Sequence, residues 1–268
     1  MIGLDEEREF DILKLALFMA LMLVIVEMTV IIPNLFTGDL RALIGTGLFF
    51  ATFAFMYIIL ERFTTWDGTT IEKLGIEIDD NTIRRIVIGG IAGVAAIALI
   101  AAAAFFFGGQ LRPVEEMTAD LLMSEIMITV PTALFEELVH RGYILPKMEG
   151  LAGKNRAILI SSLFFSCLHF SWWTYPGIPL HVLLLFIFNI FLGGVVLSLS
   201  YYWSNRNLWV PIAFHFVWNM IGYIMFPTYP RESVVLPEIF QFEWGITTIV
   251  GFLFGLSLIY GLLLNKKK

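Results

Sequence analysis

Side chains that can transfer protons lie in three segments that are otherwise apolar. They are Glu136, Glu137 and Arg141 in FEELVHRG, His169 in FFSCLHF, and His215 and Asn219 in FHFVWN. A charged residue within a lipid-spanning helix costs about 2.5–3.5 kcal/mol on insertion scales, so such residues usually mark a functional site. Two carboxylates, an arginine, two imidazoles and an amide can together activate a water molecule and stabilise the charge that develops when it attacks a carbonyl group.

The composition of the chain predicts that these residues belong to a membrane protein. Of the 268 residues, 58% are hydrophobic and 15% are charged, whereas soluble domains carry about 25% charged residues. Apolar runs that are long enough to cross a hydrocarbon core of about 30 Å recur from end to end. We predict an all-α, polytopic integral membrane protein with about eight transmembrane helices that enclose an intramembrane catalytic cavity. The predicted spans are roughly 12–32, 42–60, 86–107, 125–148, 156–172, 180–201, 208–226 and 244–264.

The arrangement of the spans predicts a single domain. No polar block longer than about 25 residues separates the apolar runs, so we expect one integral membrane domain over residues 1–268, with a motif core at about 125–226. The net charge of −6 is distributed over the loops, so nucleic acid is not an expected partner, whereas the lipid bilayer is.

The positions of lysine and arginine predict the orientation of the chain. If the N-terminus is inside, only Arg41, Arg112 and Arg231 of the 17 basic residues fall in outside segments. Cytoplasmic segments of membrane proteins carry the excess of basic residues. We therefore expect a multi-pass protein of the cell membrane with both termini in the cytoplasm, which requires an even number of spans.

Depth along the helices predicts that the polar side chains meet. At a rise of 1.5 Å per residue, Glu136, His169 and Asn219 each lie about 17–20 Å from the cytoplasmic ends of their spans, and His215 lies about 10 Å from its own. Residues from three spans should therefore share one buried cavity.

The spacing within each motif predicts different roles for its residues. Adjacent helical residues point about 100° apart, and Glu137 lies four residues before Arg141, a spacing that suits an ion pair. We therefore expect Glu137 and Arg141 to orient the site, and Glu136 to face the cavity as the general base that activates water. His169 would share that water or pass its proton to the leaving amine.

His215 and Asn219 also lie four residues apart, on one face of a helix. Both can donate a hydrogen bond toward one point, an arrangement that suits stabilisation of an oxyanion in acyl transfer. Glu136, His169 and His215 together predict peptide hydrolysis without a serine or cysteine nucleophile.

The same three residues are also acceptable zinc ligands, with an open position for water. The HExxH helix of many zinc proteases is absent, and Asn219 is a poor zinc ligand. We favour a mechanism without a cofactor, and zinc held by Glu136, His169 and His215 stays open as the alternative.

The three motifs resemble those of a known protein family. EELVHRG fits EExxxR, FSCLH fits FxxxH and HFVWN fits HxxxN, in the same order and within roughly residues 132–222. The chain is similar to the CPBP family of intramembrane endopeptidases, which includes type II CAAX prenyl proteases and bacteriocin-processing or immunity relatives.

The resemblance implies an eight-helix fold whose catalytic cavity opens toward the cytoplasm. It also implies Glu136 as the water-activating residue, His169 as its assistant, His215 and Asn219 as the oxyanion site, and Glu137 and Arg141 in support. For the prenyl-protease branch, it implies a prenylated protein C-terminus as substrate, with removal of the last three residues.

Two other classes of function stay open. A proton-coupled transporter also places Glu and His at mid-depth, although usually with an internal repeat, and we find no repeat in this sequence. A non-catalytic immunity protein could keep the fold without cleaving a peptide. Replacement of Glu136 would separate these classes, because uptake, protection and peptide cleavage are measured independently.

Overall fold

The computed structural model describes residues 2–169 and 177–264, and side chains from residue 6 onward. The chain forms helices joined by short connections, three of which contain 3₁₀ turns at Pro33–Leu35, Ile71–Leu74 and Val114–Glu116. The helices are α1 (Ile2–Ile31), α2 (Gly38–Trp66), α3 (Thr82–Phe107), α4 (Ala119–Glu137), a π turn (Leu138–Ile144), α5 (Leu145–Ala152), α6 (Lys154–Leu168), α7 (Leu180–Trp203), α8 (Trp209–Met225), α9 (Pro237–Phe240) and α10 (Ile246–Leu264).

Five helices are long and apolar enough to cross a membrane, by length and composition. They are Glu6–Leu35, Gly38–Trp66, Thr82–Phe107, Leu180–Trp203 and Ile246–Leu264. The prediction of an all-α, polytopic membrane protein is thus confirmed. The three predicted spans that carry the candidate residues do not meet this criterion within the described residues, because they are shorter or more polar. The end of the predicted fifth span, 170–172, lies outside the described residues, and a total of eight crossings stays a prediction.

A π turn interrupts the helix that carries the acidic pair. The sequence predicts one span over 125–148, whereas the structure divides it into α4, the π turn and α5. Pro146 has no N–H to donate to the preceding turn, and the Leu145 N–H bonds to the carbonyl of His140, five residues earlier. The extra residue in this turn changes the direction in which the side chains on either side of it point.

Small residues hold α3 close to α8. A Cβ atom added to Gly89 would lie 2.3 Å from the Val210 carbonyl oxygen, and one added to Gly93 would lie 3.0 Å from Val217. Membrane helices use glycine and alanine in this way, because close backbone approach replaces the hydrophobic driving force that water provides. This packing fixes α8, which carries His215 and Asn219.

A buried carboxylate joins α1, the end of α2 and the α4–α5 region. Asp67 accepts hydrogen bonds from Lys14, from Lys147 (2.8 Å) and from the Tyr143 hydroxyl (2.9 Å). Burial by itself raises the pKa of Asp67, but these three hydrogen bonds outweigh burial and hold the pKa below its usual value. Asp67 therefore anchors the π turn from the end opposite to the acidic pair.

The segment after α2 also contacts the helices of the candidate site. Gly142 of the π turn packs so closely on Leu74 that an added Cβ would lie 3.1 Å from the Leu74 Cβ. The Leu208 N–H donates to the Gly75 carbonyl at 2.8 Å, just before α8 begins. The connection between α2 and α3 therefore positions both α8 and the π turn.

Candidate active site

Glu136, His169 and His215 come together from three helices. The Glu136 Oε2 atom lies 4.0 Å from His169 Nε2 and 3.8 Å from His215 Nε2. Glu136 lies at the end of α4, His169 caps α6, and His215 lies in the middle of α8. The convergence predicted from depth is present in the structure.

Hydrogen bonds fix the orientation of both imidazole rings. His169 Nδ1 lies 2.8 Å from the Phe165 carbonyl oxygen, which can only accept, so Nδ1 carries the proton and Nε2 faces Glu136. His215 Nδ1 lies 2.9 Å from Glu137 Oε1, and its Nε2 also faces Glu136. Both rings therefore present Nε2 to the same carboxylate oxygen, and nearby groups hold them in place.

Glu137 and Arg141 form the ion pair that their spacing predicts. Arg141 Nη1 donates to Glu137 Oε1 at 2.9 Å, and Nη2 donates to the Gly194 carbonyl at 3.1 Å. The Glu137 and Arg141 side chains are 0% and 2% exposed, and the guanidinium lies 4.5 Å from the centre of the Phe165 ring. Glu137 thus accepts from Arg141 and from His215 with one oxygen, and it links the ion pair to the His215 ring.

The three residues line a cavity of about 230 Å³. This volume has room for several water molecules at about 30 Å³ each. Asn219 also lines it, and its side chain makes no hydrogen bond within the described part of the chain, so its amide is available to a ligand. The remaining wall is mostly apolar and comes from α2, α4, α6, α7, α8 and α10. Tyr223 on α8 and Glu243, just before α10, add two polar side chains to it.

Two further spaces adjoin this cavity. Glu136 and His169 also line a cavity of about 150 Å³ on their other side, together with His140. His140 is buried, and its Nδ1 has no hydrogen-bond partner within the described residues. Glu136 and His169 therefore form a partition between two spaces.

A larger crevice of about 810 Å³ shares Phe49 and Ile128 with the main cavity and reaches Arg41 and Arg231. The resemblance implies an opening toward the cytoplasm. This crevice lies at the end of the bundle that carries Arg41 and Arg231, which the charge pattern assigns to the outside. The opening toward the cytoplasm stays a prediction.

The candidate zinc ligands do not form a ready tetrahedral site. With metal–ligand distances of about 2.0–2.2 Å, two ligands of a tetrahedral zinc lie about 3.3–3.6 Å apart. The separations of 3.8 and 4.0 Å from Glu136 are longer. Across residues 2–169 and 177–264, no group of three His, Cys, Asp or Glu side chains is arranged to hold a metal ion.

Sequence reasoning missed Glu243 and Tyr223, which belong to the same cavity wall. The Tyr223 hydroxyl lies 3.3 and 3.5 Å from the two carboxylate oxygens of Glu243. Burial raises the pKa of Glu243 to about 7, and Glu136 adds to this effect, while Tyr223 and His215 oppose it. Glu243 is the only charged residue between Glu238 and Lys266, a signal that could have directed attention to it.

Comparison with known proteins supports the motif resemblance. Residues 118–221 match the family model described as Rce1-like, type II CAAX prenyl endopeptidase. This range contains all six candidate residues predicted from sequence. A search of curated proteins found no match. The match confirms the resemblance carried by the three motifs: residues 118–221 are similar to the Rce1-like family of type II CAAX prenyl endopeptidases.

Proposed function

We propose that this protein is an intramembrane endopeptidase that removes the C-terminal tripeptide from a prenylated protein, with Glu136 as the base that activates water. The family match supports the reaction class, and the approach of two imidazole Nε2 atoms to one Glu136 oxygen supports the site. A prenyl chain could stay in hydrocarbon while the peptide enters the cavity.

Glu136, His169 and His215 can share one water molecule. Atoms that lie 3.8–4.0 Å apart can each be about 2.8 Å from a common water oxygen. In the proposed step, Glu136 takes a proton from this water as its oxygen bonds to the peptide carbonyl carbon. Glu136 passes this proton to His169 Nε2, and His169 transfers it to the leaving nitrogen as the C–N bond breaks.

His215 and Asn219 would stabilise the oxyanion that forms in this step. The Glu137 carboxylate accepts from His215 Nδ1, so it favours an imidazolium that can donate through Nε2. The Asn219 amide provides the second donor from one helical turn further along α8. Glu137 and Arg141 act through His215, and we regard them as positioning residues.

Glu136→Gln tests the base directly, because it keeps the shape of the side chain and removes its basicity. General base catalysis contributes about 10²–10⁴-fold, so cleavage of a farnesylated CAAX peptide should fall by that factor. Glu125→Gln is the matched control, since Glu125 lies on the same helix and lines neither cavity. Near-normal turnover by folded Glu136→Gln protein would refute the assignment.

The same assay identifies the substrate and the cofactor requirement. Equal cleavage of an unlipidated peptide would favour a bacteriocin-processing type of substrate over a prenylated one. Proton-coupled uptake lost in Glu136→Gln, without any peptide cleavage, would favour a transporter. Loss of activity with a chelator, and its return with zinc, would refute the metal-free mechanism.

A further inference from the structure

Glu243 is a cavity carboxylate that the proposed reaction does not use. It lies between α9 and α10, and it lines the catalytic cavity together with Glu136, His215 and Asn219. The Tyr223 hydroxyl, 3.3 Å away, donates toward one of its oxygens. A carboxylate has about four acceptor positions, so one hydroxyl leaves most of them available to a ligand.

The backbone at Glu243 is held in a conformation that favours glycine. Its φ is 64°, in the left-handed region that L-residues other than glycine, asparagine and aspartate seldom adopt. Asn189 holds this backbone, because its amide donates to the carbonyls of Glu243 (2.8 Å) and Gly245 (3.0 Å). Neither bond involves the Glu243 carboxylate, so the conformation does not depend on that group. Unfavourable backbone conformations that persist in this way are concentrated at functional sites.

Glu243 lies at one end of a row of polar residues. His215, Asn219 and Tyr223 follow one another at intervals of four on α8, and all three line the cavity. Each interval corresponds to about 6 Å along the helix, and an extended peptide rises about 3.3 Å per residue. Consider a peptide that follows this row with its scissile carbonyl at His215 and Asn219. A group about two residues from that carbonyl would then lie beside Tyr223 and Glu243.

We propose that Glu243 determines substrate specificity: it binds a cationic side chain about two residues from the scissile bond and disfavours an acidic group there. This inference rests on the proposed function, because it places the peptide by its scissile carbonyl. It also implies that the C-terminal carboxylate of a substrate is directed away from the start of α10. Tyr223 is a positioning residue that orients the carboxylate toward the cavity.

The test compares peptides that differ at one position. Fluorescent peptides carry lysine, glutamine or glutamate at the second residue on either side of the scissile bond, and their binding to the full-length protein is measured by anisotropy. At one of these positions, the wild type should bind the lysine peptide about tenfold or more tighter than the glutamate peptide, because charge-assisted hydrogen bonds are strong in a desolvated site. Glu243→Gln should reduce this ratio to about twofold or less, and Glu243→Lys should invert it.

Glu115→Gln, at an exposed glutamate outside the cavity, is the matched control and should keep the wild-type ratio. Glu243→Gly separates specificity from folding, because glycine adopts this φ without strain. It should lose the preference for lysine while its melting temperature is equal to or above that of the wild type. A lower melting temperature with unchanged preference would indicate a purely structural role and would overturn the proposal.

Cleavage of the same peptides is followed in parallel, so that the two proposals can fail separately. No preference in the wild type, or an unchanged preference in Glu243→Gln, would overturn the role of Glu243 whether or not peptides are cleaved. A binding preference that depends on Glu243, without cleavage of any peptide, would support this role and refute the proposed endopeptidase activity.

Discussion

Replacement of Glu137 by leucine would leave the Arg141 guanidinium buried without its carboxylate. Arg141 is 1% exposed, and only the Gly194 carbonyl would still accept from it. Removing one partner of a buried ion pair costs about 3–5 kcal/mol, because the other charge stays desolvated. We expect Glu137→Leu to lower the free energy of unfolding by about this amount.

The double variant Glu137→Leu/Arg141→Met should recover most of this loss. Replacing both members of a buried pair by apolar residues of similar size is often neutral or stabilising. Activity should not recover, because His215 Nδ1 would still lack the acceptor that lies 2.9 Å away in the wild type. Stability and activity should therefore separate in the double variant.

Thermal or denaturant unfolding in detergent measures the stability of these variants, and peptide cleavage below the unfolding transition measures their activity. The pair formed by Glu149 and Arg206 is the control, because Arg206 is 54% exposed and exposed pairs contribute about 1 kcal/mol or less. The reasoning is refuted if Glu137→Leu unfolds within about 1 kcal/mol of the wild type, or if the double variant is no more stable than the single variant.

The buried carboxylate of Asp67, the packing of α8 and the orientation of the chain in the membrane each allow a separate test. The pKa of Asp67 is lower in the folded state than its unfolded value of about 3.9. The stabilising contribution of Asp67 is complete above the unfolded-state pKa and is lost as the pH falls toward the folded-state pKa. The unfolding temperature should therefore fall with acidification below about pH 4. It should fall less steeply in Asp67→Asn. Gly222→Ala should lower the free energy of unfolding by about 1–3 kcal/mol, because the new Cβ would lie 2.4 Å from Cζ of the buried Phe242 ring. A cysteine at Arg231, in protein that also carries Cys167→Ser, should react with a membrane-impermeant maleimide on intact cells, since we place this residue outside.

Matched variants accompany each of these three tests. Asp80→Asn changes an exposed aspartate in the segment that follows Asp67. Gly261→Ala adds a Cβ that meets nothing within 4 Å and should not destabilise the protein. Arg156→Cys should be labelled only after the membrane is permeabilised, and the opposite labelling pattern would reverse the proposed orientation.

The sequence predicted that three ionisable side chains would meet, because lipid makes polar side chains conspicuous. Glu136, His169 and His215 are detectable as ionisable groups within apolar runs, and rise per residue places them at related depths. The Glu137–Arg141 pair follows from a spacing of four. These inferences require only the geometry of a helix and the cost of burying charge.

The features that sequence reasoning missed depend on contacts between distant segments. Glu243 lies in a short connection whose conformation is held by Asn189, 54 residues earlier, and no local pattern predicts that contact. Tyr223 looks like an ordinary interfacial aromatic until the chain places it beside Glu243. The π turn lies just before Pro146 and packs against Leu74, whereas helical periodicity alone predicts an unbroken span.

The π turn makes the side chains before it and after it point in different directions around the helix axis. Before it, Glu136 lines the cavity and Glu137 contacts His215; at its end and just beyond it, Tyr143 and Lys147 reach Asp67. Deletion of a single residue from Leu138–Ile144 would restore uniform winding and rotate one group relative to the other by about 100°. Such a shortened chain could keep Tyr143 and Lys147 at Asp67 or Glu136 in the cavity, but not both. The length of this turn should therefore tolerate change less than its composition does.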